Sequence, residues 1–236
     1  MYKHETLVKF IAMGKKFVEK FENMDSDALH VCISSGNRKI GLVMNVSTAP
    51  VFACPHCKHC VDFCYDIKAC LRFPKNVFEN RVKNYIMATK HREKFFAEIE
   101  NRIARRRTNK FFRWHVAGDI IDADYFENMV RIAKNHPDFI FWTYTKVYEI
   151  VNDFCSKNGG KAAVPDNFVI MFSEWDGVEM VNPFGFPEFS CKLKDGNKNH
   201  PVEYFDTLYK CPGNCDICKA SNRGCLAGET TYADEH

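Results

Sequence analysis

The spacing of hydrophobic residues follows a helical pattern at the start of the chain. Apolar side chains recur at intervals of three and four over residues 5–24, which predicts an amphipathic helix. The sequence predicts two short strands, at residues 29–35 and 39–48. The segment between them, Ser35-Gly36-Asn37-Arg38, has the composition of a hairpin turn. A long helix, or two joined helices, is predicted over residues 77–107.

From residue 111 the predicted elements alternate between strand and helix. Helices at 125–134 and 147–155 separate three hydrophobic strands, a pattern that is typical of βαβ units with a parallel sheet. With the earlier strand, four strands are expected to be parallel: 39–48, 111–116, 139–145 and 168–173. We therefore predict an α/β fold with a parallel sheet and flanking helices, arranged as a partial or irregular TIM-like barrel, because a closed barrel needs eight strands.

The last part of the chain has a different composition. It carries 10 of the 21 proline and glycine residues, short predicted strands at 189–194 and 202–209, and a cluster of cysteines. We predict an α/β core over residues 1–175, which includes the N-terminal helix, the hairpin and a cysteine loop at 54–70. Residues 176–236 are expected to form a Cys-rich C-terminal extension packed on that core.

Composition and charge narrow the class of protein. The 236 residues are 46% hydrophobic and 27% charged with a net charge of +3, which excludes a disordered or collagen-like chain. No basic, apolar signal opens the sequence, and Phe139-Ile140-Phe141-Trp142 is far too short to span a membrane. We therefore expect a cytoplasmic protein without a membrane partner. In that reducing compartment, we expect the 12 cysteines to serve as metal ligands or redox groups rather than to form disulfides.

The first cysteine cluster has a C-x2-C-x2-C-x3-C spacing, formed by Cys54, Cys57, Cys60 and Cys64. This matches the run of bacterial ferredoxins, except that Tyr65 replaces the proline that follows. Such short spacing allows one loop to turn several thiolates toward one centre. The four cysteines are therefore predicted ligands of an iron–sulfur cluster or a zinc ion.

The second cluster consists of Cys211, Cys215, Cys218 and Cys225. Its first three members have the C-x3-C-x2-C spacing of the 4Fe–4S motif in radical SAM enzymes, although the motif lies near the C-terminus and Ile217 occupies the usual aromatic position. We predict that the eight cysteines bind one or two 4Fe–4S clusters, with structural zinc as the alternative. S-adenosylmethionine is a further candidate cofactor, but no Gly-Gly-Glu segment supports it.

Four cysteines fall outside these two clusters. Cys32 and Cys155 lie in strand and helix patterns and are expected to be buried small hydrophobic residues. Cys70 and Cys191 lie near loops, so the sequence leaves open whether they are ligands.

Polar residues lie at or just beyond the carboxyl ends of three successive predicted strands. The carboxyl ends of parallel strands share one edge of a sheet, where active sites of α/β proteins lie. We therefore expect these residues to line one mouth, and we take the first four as candidate catalytic residues: His115, Asp119, Tyr144, Lys146, Ser173 and Glu174. His115 or Lys146 would transfer protons and Asp119 would orient a partner. The alternative is that these residues have ordinary structural roles. His115 would then be a hydrogen-bonded structural residue, Asp119 a helix cap and Lys146 a solvated lysine.

Residues 72–113 carry 13 lysines and arginines against 4 glutamates. A basic helix over 77–113 offers a surface for the phosphates of nucleic acid, whereas a solvated helix face is the plainer explanation. The alternative function is therefore a zinc-stapled module that binds nucleic acid through this helix. The aromatic residues of the segment fall on apolar positions and indicate core packing.

Several motifs occur in a recognisable order: Ser35-Gly36-Asn37-Arg38-Lys39-Ile40-Gly41, a cysteine loop ending Cys64-Tyr65, His115-Val-Ala-Gly118-Asp119, Tyr144-Thr145-Lys146, and the late Cys211-Pro cluster. Together they resemble the "gene product 88" family of phages and mobile elements. The resemblance covers residues 30 to 236 and implies a cysteine-loop α/β protein distantly similar to radical SAM barrels. It implies no established activity. We expect an iron–sulfur oxidoreductase or radical-type enzyme, with an unknown small-molecule substrate or electron donor as its partner.

Overall fold

The computed structural model describes residues 2–38, 40–57 and 60–235. Its helices are α1 His4–Glu22, α2 Tyr65–Arg72, α3 Glu79–Lys90, α4 Arg92–Ala104, α5 Ala123–Asn135, α6 Tyr148–Lys157, α7 Val202–Asp206 and α8 Cys215–Ser221. Its strands are β1 Ile33–Ser34, β2 Met44–Val46, β3 Phe111–Trp114, β4 Ile140–Thr145, β5 Phe168–Ser173, β6 Glu188–Lys192, β7 Tyr209–Lys210 and β8 Thr231–Asp234.

The strands form one sheet in the order β1-β2-β3-β4-β5-β6-β8-β7. The pairs β3/β4, β4/β5, β5/β6, β6/β8 and β7/β8 are all parallel. The predicted α/β class with a mostly parallel sheet and flanking helices is therefore confirmed. The sheet has β1 and β7 at its two edges and is open in the described part of the chain, so a TIM-like barrel is not confirmed.

The regular α/β stretch agrees closely with the predicted elements, and the irregular segments differ. The strand predicted at 168–173 has the predicted bounds, and the helix predicted at 125–134 lies within α5. The strand predicted at 202–209 is wrong, because most of this segment is the helix α7, which begins directly after Pro201. Proline fixes the φ angle and often precedes or opens a helix. The two strands predicted at 29–35 and 39–48 are shorter in the structure, as β1 and β2, which are neighbours in the sheet; an isolated antiparallel bridge joins Asn37 and Gly41 between them.

The described chain divides into two compact units. The first contains Met1–Ser34, Val46–Arg106 and His115–Ile121, and the second contains Ser35–Asn45, Arg107–Trp114 and Asp122–His236. The C-terminal segment 176–236 thus shares a unit with β3, β4 and β5 rather than forming a unit of its own. No described helix is long and apolar enough to cross a membrane.

The first unit has a helical core. Helix α1 packs against α3, and α3 packs against α4. Phe10 stacks on Phe78 with ring centroids 4.4 Å apart, and Phe52 and Phe17 contact the same ring. Gly14 allows this close approach, because a Cβ atom there would lie 2.5 Å from the Phe52 ring.

The second unit buries both sides of its strands. Phe126 of α5 contacts Phe168 of β5 and Phe154 of α6, so these helices cover one face of the sheet. The 3-10 turn Gly224–Ala227 of the C-terminal segment packs on β4 and β5. Tyr144 of β4 lies beside that turn, which brings the second cysteine cluster onto the strands.

Candidate metal-binding cysteine groups

The C-terminal cysteine group is Cys211, Cys215, Cys218 and Cys225, and short elements with tight turns position it. Cys211 follows β7, Cys215 and Cys218 lie in α8, and Cys225 lies in the turn Gly224–Ala227. The Asn214 side chain caps α8 by accepting a hydrogen bond from the backbone N–H of Asp216 at 2.9 Å. Asn222 ends the helix in a left-handed conformation and turns the chain back toward Cys225.

Three thiols of this group, those of Cys215, Cys218 and Cys225, have pKa values that neighbouring cysteines of the group raise. Burial raises the pKa of Cys215 to about 12, and charges on Cys225, Cys218 and Cys211 add to the rise. Burial, followed by Cys225 and Cys211, also raises the pKa of Cys218. All four sulfur atoms therefore share one electrostatic environment, in which several thiolates are costly unless a cation compensates them.

Three side chains from the second unit surround these thiols. The hydroxyl of Tyr144 donates a hydrogen bond to the sulfur of Cys225, and the hydroxyl of Tyr209 interacts in the same way with Cys218. Arg113 lies over the Tyr144 ring at 4.8 Å from its centroid. Its positive charge lowers the pKa of both Cys215 and Cys225, opposing the effect of burial.

Gly41, from the motif at 35–41, packs against α8, the helix that carries Cys215 and Cys218. A Cβ atom on Gly41 would lie 2.1 Å from a carboxylate oxygen of Asp216, the residue that follows Cys215. Gly41 also has φ +66°, a conformation that favours glycine. Asp216 in turn forms an ion pair with Lys219. Gly41 therefore has a packing role beside α8.

The N-terminal cysteine loop is built from successive tight turns. The N–H of Cys57 donates to the carbonyl of Cys54, and that of Cys60 to the carbonyl of Cys57, each at 3.1 Å. Cys64 lies at the N-terminus of α2, where its sulfur accepts hydrogen bonds from the N–H groups of Asp66 and Ile67. These donors lower its pKa, but burial is the larger influence and the net shift is upward.

Several neighbouring groups shift the pKa of the Cys54 thiol in this loop. Burial raises its pKa well above the usual value, and the charges of Asp119, Cys64 and Cys60 raise it further. The N–H of Val51 donates to its sulfur and opposes these effects. Val51 has φ +72°, which is unusual for a β-branched residue.

Two backbone contacts hold Asp119 and its neighbours against the loop. The N–H of Asp119 donates to the carbonyl of Ala53 at 3.1 Å, and the Tyr65 hydroxyl donates to the carbonyl of Val116. Asp119 is 9% exposed, and its Oδ1 accepts a hydrogen bond from the N–H of Ile120 at 2.8 Å. The segment after β3 therefore contacts both ends of the cysteine loop.

His115 and Gly118 shape that segment. His115 is buried with φ +54°, and its N–H donates to the carbonyl of Val46 at 3.0 Å. Gly118 has φ +89°, and a Cβ atom there would lie 1.9 Å from Oγ1 of Thr48. Thr48 is fully buried, and its Oγ1 has no hydrogen-bond partner among the described residues.

The predicted mouth residues fall into separate groups. His115 and Asp119 belong to the first unit with the N-terminal loop, whereas Tyr144 and Lys146 belong to the second. Lys146 Nζ donates to Ser173 Oγ at 2.8 Å, which joins two neighbouring strand ends. Whether these four residues act in catalysis stays a prediction.

Sequence reasoning did not find the partners of Glu174. This buried carboxylate accepts hydrogen bonds from Ser190 Oγ at 2.5 Å and from Asn199 Nδ2 at 2.7 Å, and it contacts His200 Nε2 at 2.9 Å. His200 stacks on Tyr204 with centroids 3.8 Å apart. The partners lie 16 to 26 positions beyond Glu174 in an irregular segment, so no local pattern joins them.

The remaining cysteines lie outside both groups. Cys70 is fully buried; its thiol lies 3.6 Å from Asp66 and 3.5 Å from Arg81, which form an ion pair. Cys155 is buried in α6 as expected, whereas Cys32 is half-buried and donates to the side chain of Asn80. Cys191 is half-buried near Asp234, Glu235 and Lys146.

The thiols of the two cysteine groups are the kind of ligand that a thiophilic metal binds. They are not arranged around a common point as the ligands of one metal ion would be. Among residues 2–38, 40–57 and 60–235, no three His, Cys, Asp or Glu side chains form a ready metal-binding group. No described cysteine forms a disulfide. The donor set is nevertheless the soft one that zinc and iron–sulfur clusters require.

The predicted basic helix over 77–113 is not one helix. Helices α3 and α4 are separated at His91, whose φ of −133° and ψ of +48° are not helical, and the segment ends in the strand β3. Several of its basic groups are engaged within their own unit. Arg81 pairs with Asp66, and Lys94 donates to the carbonyl of Ser26 at 2.6 Å.

The fold and the two thiol groups define a cysteine-rich α/β protein with a mostly open, parallel sheet. The sequence profile of the family described as Gene product 88 matches residues 30–180, and the chain belongs to this family. The resemblance inferred from the motifs is thus confirmed. The Gene 88 protein of Mycobacterium phage L5 is 26% identical over 145 residues, which cover 57% of this chain and 61% of that protein. The chain therefore matches less than two thirds of that relative's length. No solved structure matches.

Proposed function

We propose that the protein binds iron–sulfur clusters and acts as a redox or radical-type enzyme of phage origin. The observation that supports this most is the environment of Cys211, Cys215, Cys218 and Cys225: burial, and then charges on neighbouring cysteines of the group, raise the pKa values of Cys215, Cys218 and Cys225. Four thiols collected in this way are costly to ionise alone, so a cation that binds thiolates would relieve the repulsion. We place a 4Fe–4S cluster there, with all four thiolates as ligands.

The groups around these thiols favour a redox centre over a purely structural one. A 4Fe–4S cluster supplies one-electron chemistry, and hydrogen bonds to its sulfur ligands raise its reduction potential. Tyr144 and Tyr209 each direct a hydroxyl to a cysteine of the group, and Arg113 adds a nearby positive charge. These residues would stabilise added negative charge on the centre. A zinc ion has no redox chemistry that such tuning would serve.

The candidate catalytic residues would act on protons and on substrate position. Asp119 and His115 lie in the segment that contacts the N-terminal loop, so they would orient a substrate at that centre. Tyr144 and Lys146 lie at the end of β4 in the second unit. The open parallel sheet would serve as the partial barrel that carries these strand ends. S-adenosylmethionine and the small-molecule partner belong to the proposal without a supporting contact.

The test is metal analysis of protein purified without oxygen. We expect iron, acid-labile sulfide and a broad absorbance near roughly 400 nm, as thiolate-bound clusters give. The double variant Cys215→Ser/Cys218→Ser should lose about four irons per chain, the content of one such cluster. Cys155→Ser is the matched control, because this buried thiol lies in α6 and should leave the iron content unchanged.

Stoichiometric zinc in a colourless protein would overturn the iron–sulfur proposal. The alternative function would then be a zinc-stapled module that binds nucleic acid through the basic residues of α3 and α4. Its affinity for DNA or RNA should fall steeply as the salt concentration rises. Without binding at low salt, that alternative also fails.

A further inference from the structure

We propose that the exposed side of α2 binds a single strand of nucleic acid, with aromatic rings stacking on bases and cations contacting phosphates. This surface, which we call the α2 face, consists of Tyr65, Lys68, Arg72, Phe73 and Lys75. It shares no residue with α3 or α4. The proposal needs no metal, so it is tested independently of the proposed iron–sulfur function.

The exposed aromatic residues of the protein are concentrated at α2. Among residues 2–38, 40–57 and 60–235, the exposed aromatic residues are Phe63, Tyr65 and Phe73, at 60%, 62% and 49%. An exposed ring leaves a large apolar surface in water, and a partner that stacks on the ring covers that surface. The clustering of these rings in one short segment therefore indicates a binding surface rather than scattered exposure.

Helical spacing places a ring and two cations on the same side of α2. Tyr65, Lys68 and Arg72 are separated by three and four residues, so their side chains form one stripe. The buried residues Ile67 and Cys70 lie on the other side of the helix. The apolar side of α2 is thus used for packing within its own unit, and the stripe of ring and cations faces outward.

Phe73 adds a second ring at the end of this stripe. Pro74 follows it, and a proline disfavours the helical conformation in the residue before it. Phe73 accordingly has φ −130° and ψ +64°, and α2 ends there. The guanidinium carbon of Arg72 lies 5.3 Å from the centroid of the Phe73 ring, a cation–π contact. A stacking ring and a phosphate-binding cation are thereby held side by side.

The exposed charges of the segment 63–75 are all positive. Lys68, Arg72 and Lys75 are exposed, and the acidic residue of the segment is Asp66. Asp66 is 2% exposed and forms an ion pair with Arg81, so its charge does not reach the surface. The α2 face therefore complements a polyanion.

The mixture of rings and cations on one face favours a single strand over other polyanions. Double-stranded nucleic acid keeps its base faces stacked inside the helix, where these rings cannot reach them. A helix that lies on a membrane needs a continuous apolar face directed at the lipid, whereas the apolar side of α2 is buried in the protein. A single strand offers unstacked bases and phosphates together, which is what the α2 face can contact.

Fluorescence anisotropy of the full chain with a labelled oligothymidylate of about 15 nucleotides tests the role of Phe73. Wild-type protein should bind at low salt. Phe73→Leu keeps an apolar side chain but removes the ring, so the affinity should fall roughly fivefold or more, the contribution of one base–aromatic stack. Phe73→Tyr restores a ring and should bind as wild type does. Equal affinities of wild type and Phe73→Leu, or no binding by wild type, would overturn the proposal.

Charge variants and a second probe locate the surface. Lys68→Ala/Arg72→Ala should reduce the slope of log affinity against log salt concentration by about 1.4, since each phosphate contact with a single strand contributes about 0.7. The matched control is Arg102→Ala/Arg105→Ala, which removes two exposed cations at the end of α4 and should leave the slope unchanged. If the control loses as much, the α2 face is the wrong surface. Binding to phosphatidylserine vesicles without binding to the oligonucleotide would replace the proposal with a membrane contact.

Discussion

Gly118 provides a quantitative test of how the segment after β3 is held. Replacing it with alanine places a Cβ atom 1.9 Å from Oγ1 of Thr48 and 3.1 Å from its Cβ. Thr48 is fully buried, and its N–H is bonded to the carbonyl of Ala117, so it has little freedom to withdraw. The backbone at Gly118 has φ +89°, which adds strain for any side chain.

The expected cost of Gly118→Ala has two parts. A left-handed conformation costs a residue with a Cβ atom about 1–2 kcal/mol. Forcing extra atoms into a packed interior costs a further 1–3 kcal/mol or so. We therefore expect the free energy of unfolding to fall by roughly 2–5 kcal/mol, a large share of the stability of a typical protein. Denaturation in urea, followed by circular dichroism, measures this change.

Two further variants separate the contributions. Gly159→Ala has a similar φ of +87° but no atom within 4 Å of its new Cβ, so it should lose only the backbone share, about 1–2 kcal/mol. Adding Thr48→Ala to Gly118→Ala removes the oxygen that clashes and should restore about 1 kcal/mol or more. If Gly118→Ala is no less stable than Gly159→Ala, the packing argument for Thr48 is refuted.

Three more perturbations follow from buried groups. Arg81→Met leaves the Asp66 carboxylate buried without its partner, so the free energy of unfolding measured in urea should fall by about 3–5 kcal/mol. Recovery of stability in Arg81→Met/Asp66→Asn would identify the ion pair as the cause, and no recovery would contradict it. The pKa of Cys70 is raised from 9.0 to about 12, so its neutral thiol stabilises the fold below pH 9 and this stability is lost as the pH rises toward 12. Wild type should lose about 1.4 kcal/mol per pH unit relative to Cys70→Ala over that range, and parallel pH profiles would be inconsistent with this. Tyr144→Phe removes the hydroxyl that donates to Cys225 and should lower the reduction potential of the proposed C-terminal centre in a potentiometric titration, whereas an unchanged potential would exclude this contact as a tuning group.

The regular strands and helices were predictable because their signal is local. The strand Phe168–Ser173 and the helix Ala123–Asn135 depend on hydrophobic periodicity, which is visible in the sequence. The cap of this helix is Asp122, whereas the sequence pointed to Asp119 as the helix cap. The segment 202–209 misled the prediction because it is short and rich in aromatic residues, which also suit a strand. Its helix begins at Val202, directly after Pro201, and packs Phe205 against Tyr232 from β8, a contact between distant positions.

The candidate sites were predictable in composition but not in arrangement. Cysteine spacing marks both candidate groups, but it does not show that Asp119 lies beside Cys54, because the two residues are far apart along the chain. The positions of His115 and Tyr144 near strand ends were visible, whereas their assignment to different units depends on how the chain is divided in space. A parallel sheet brings strand ends to one edge, but the sequence does not say which long-range segments pack beside each end.

The two compact units are interleaved along the chain, and this sets the order in which their synthesis is completed. The first unit uses nothing beyond Ile121, whereas the second begins at Ser35 and extends to His236. At a translation rate of about 5–20 residues per second, roughly 6–23 seconds separate synthesis of the last residue of each unit. The Asp119 segment and the N-terminal cysteines are thus all synthesised while Cys211 to Cys225 do not yet exist. The first unit can accordingly begin to fold on the nascent chain before the second unit is fully synthesised.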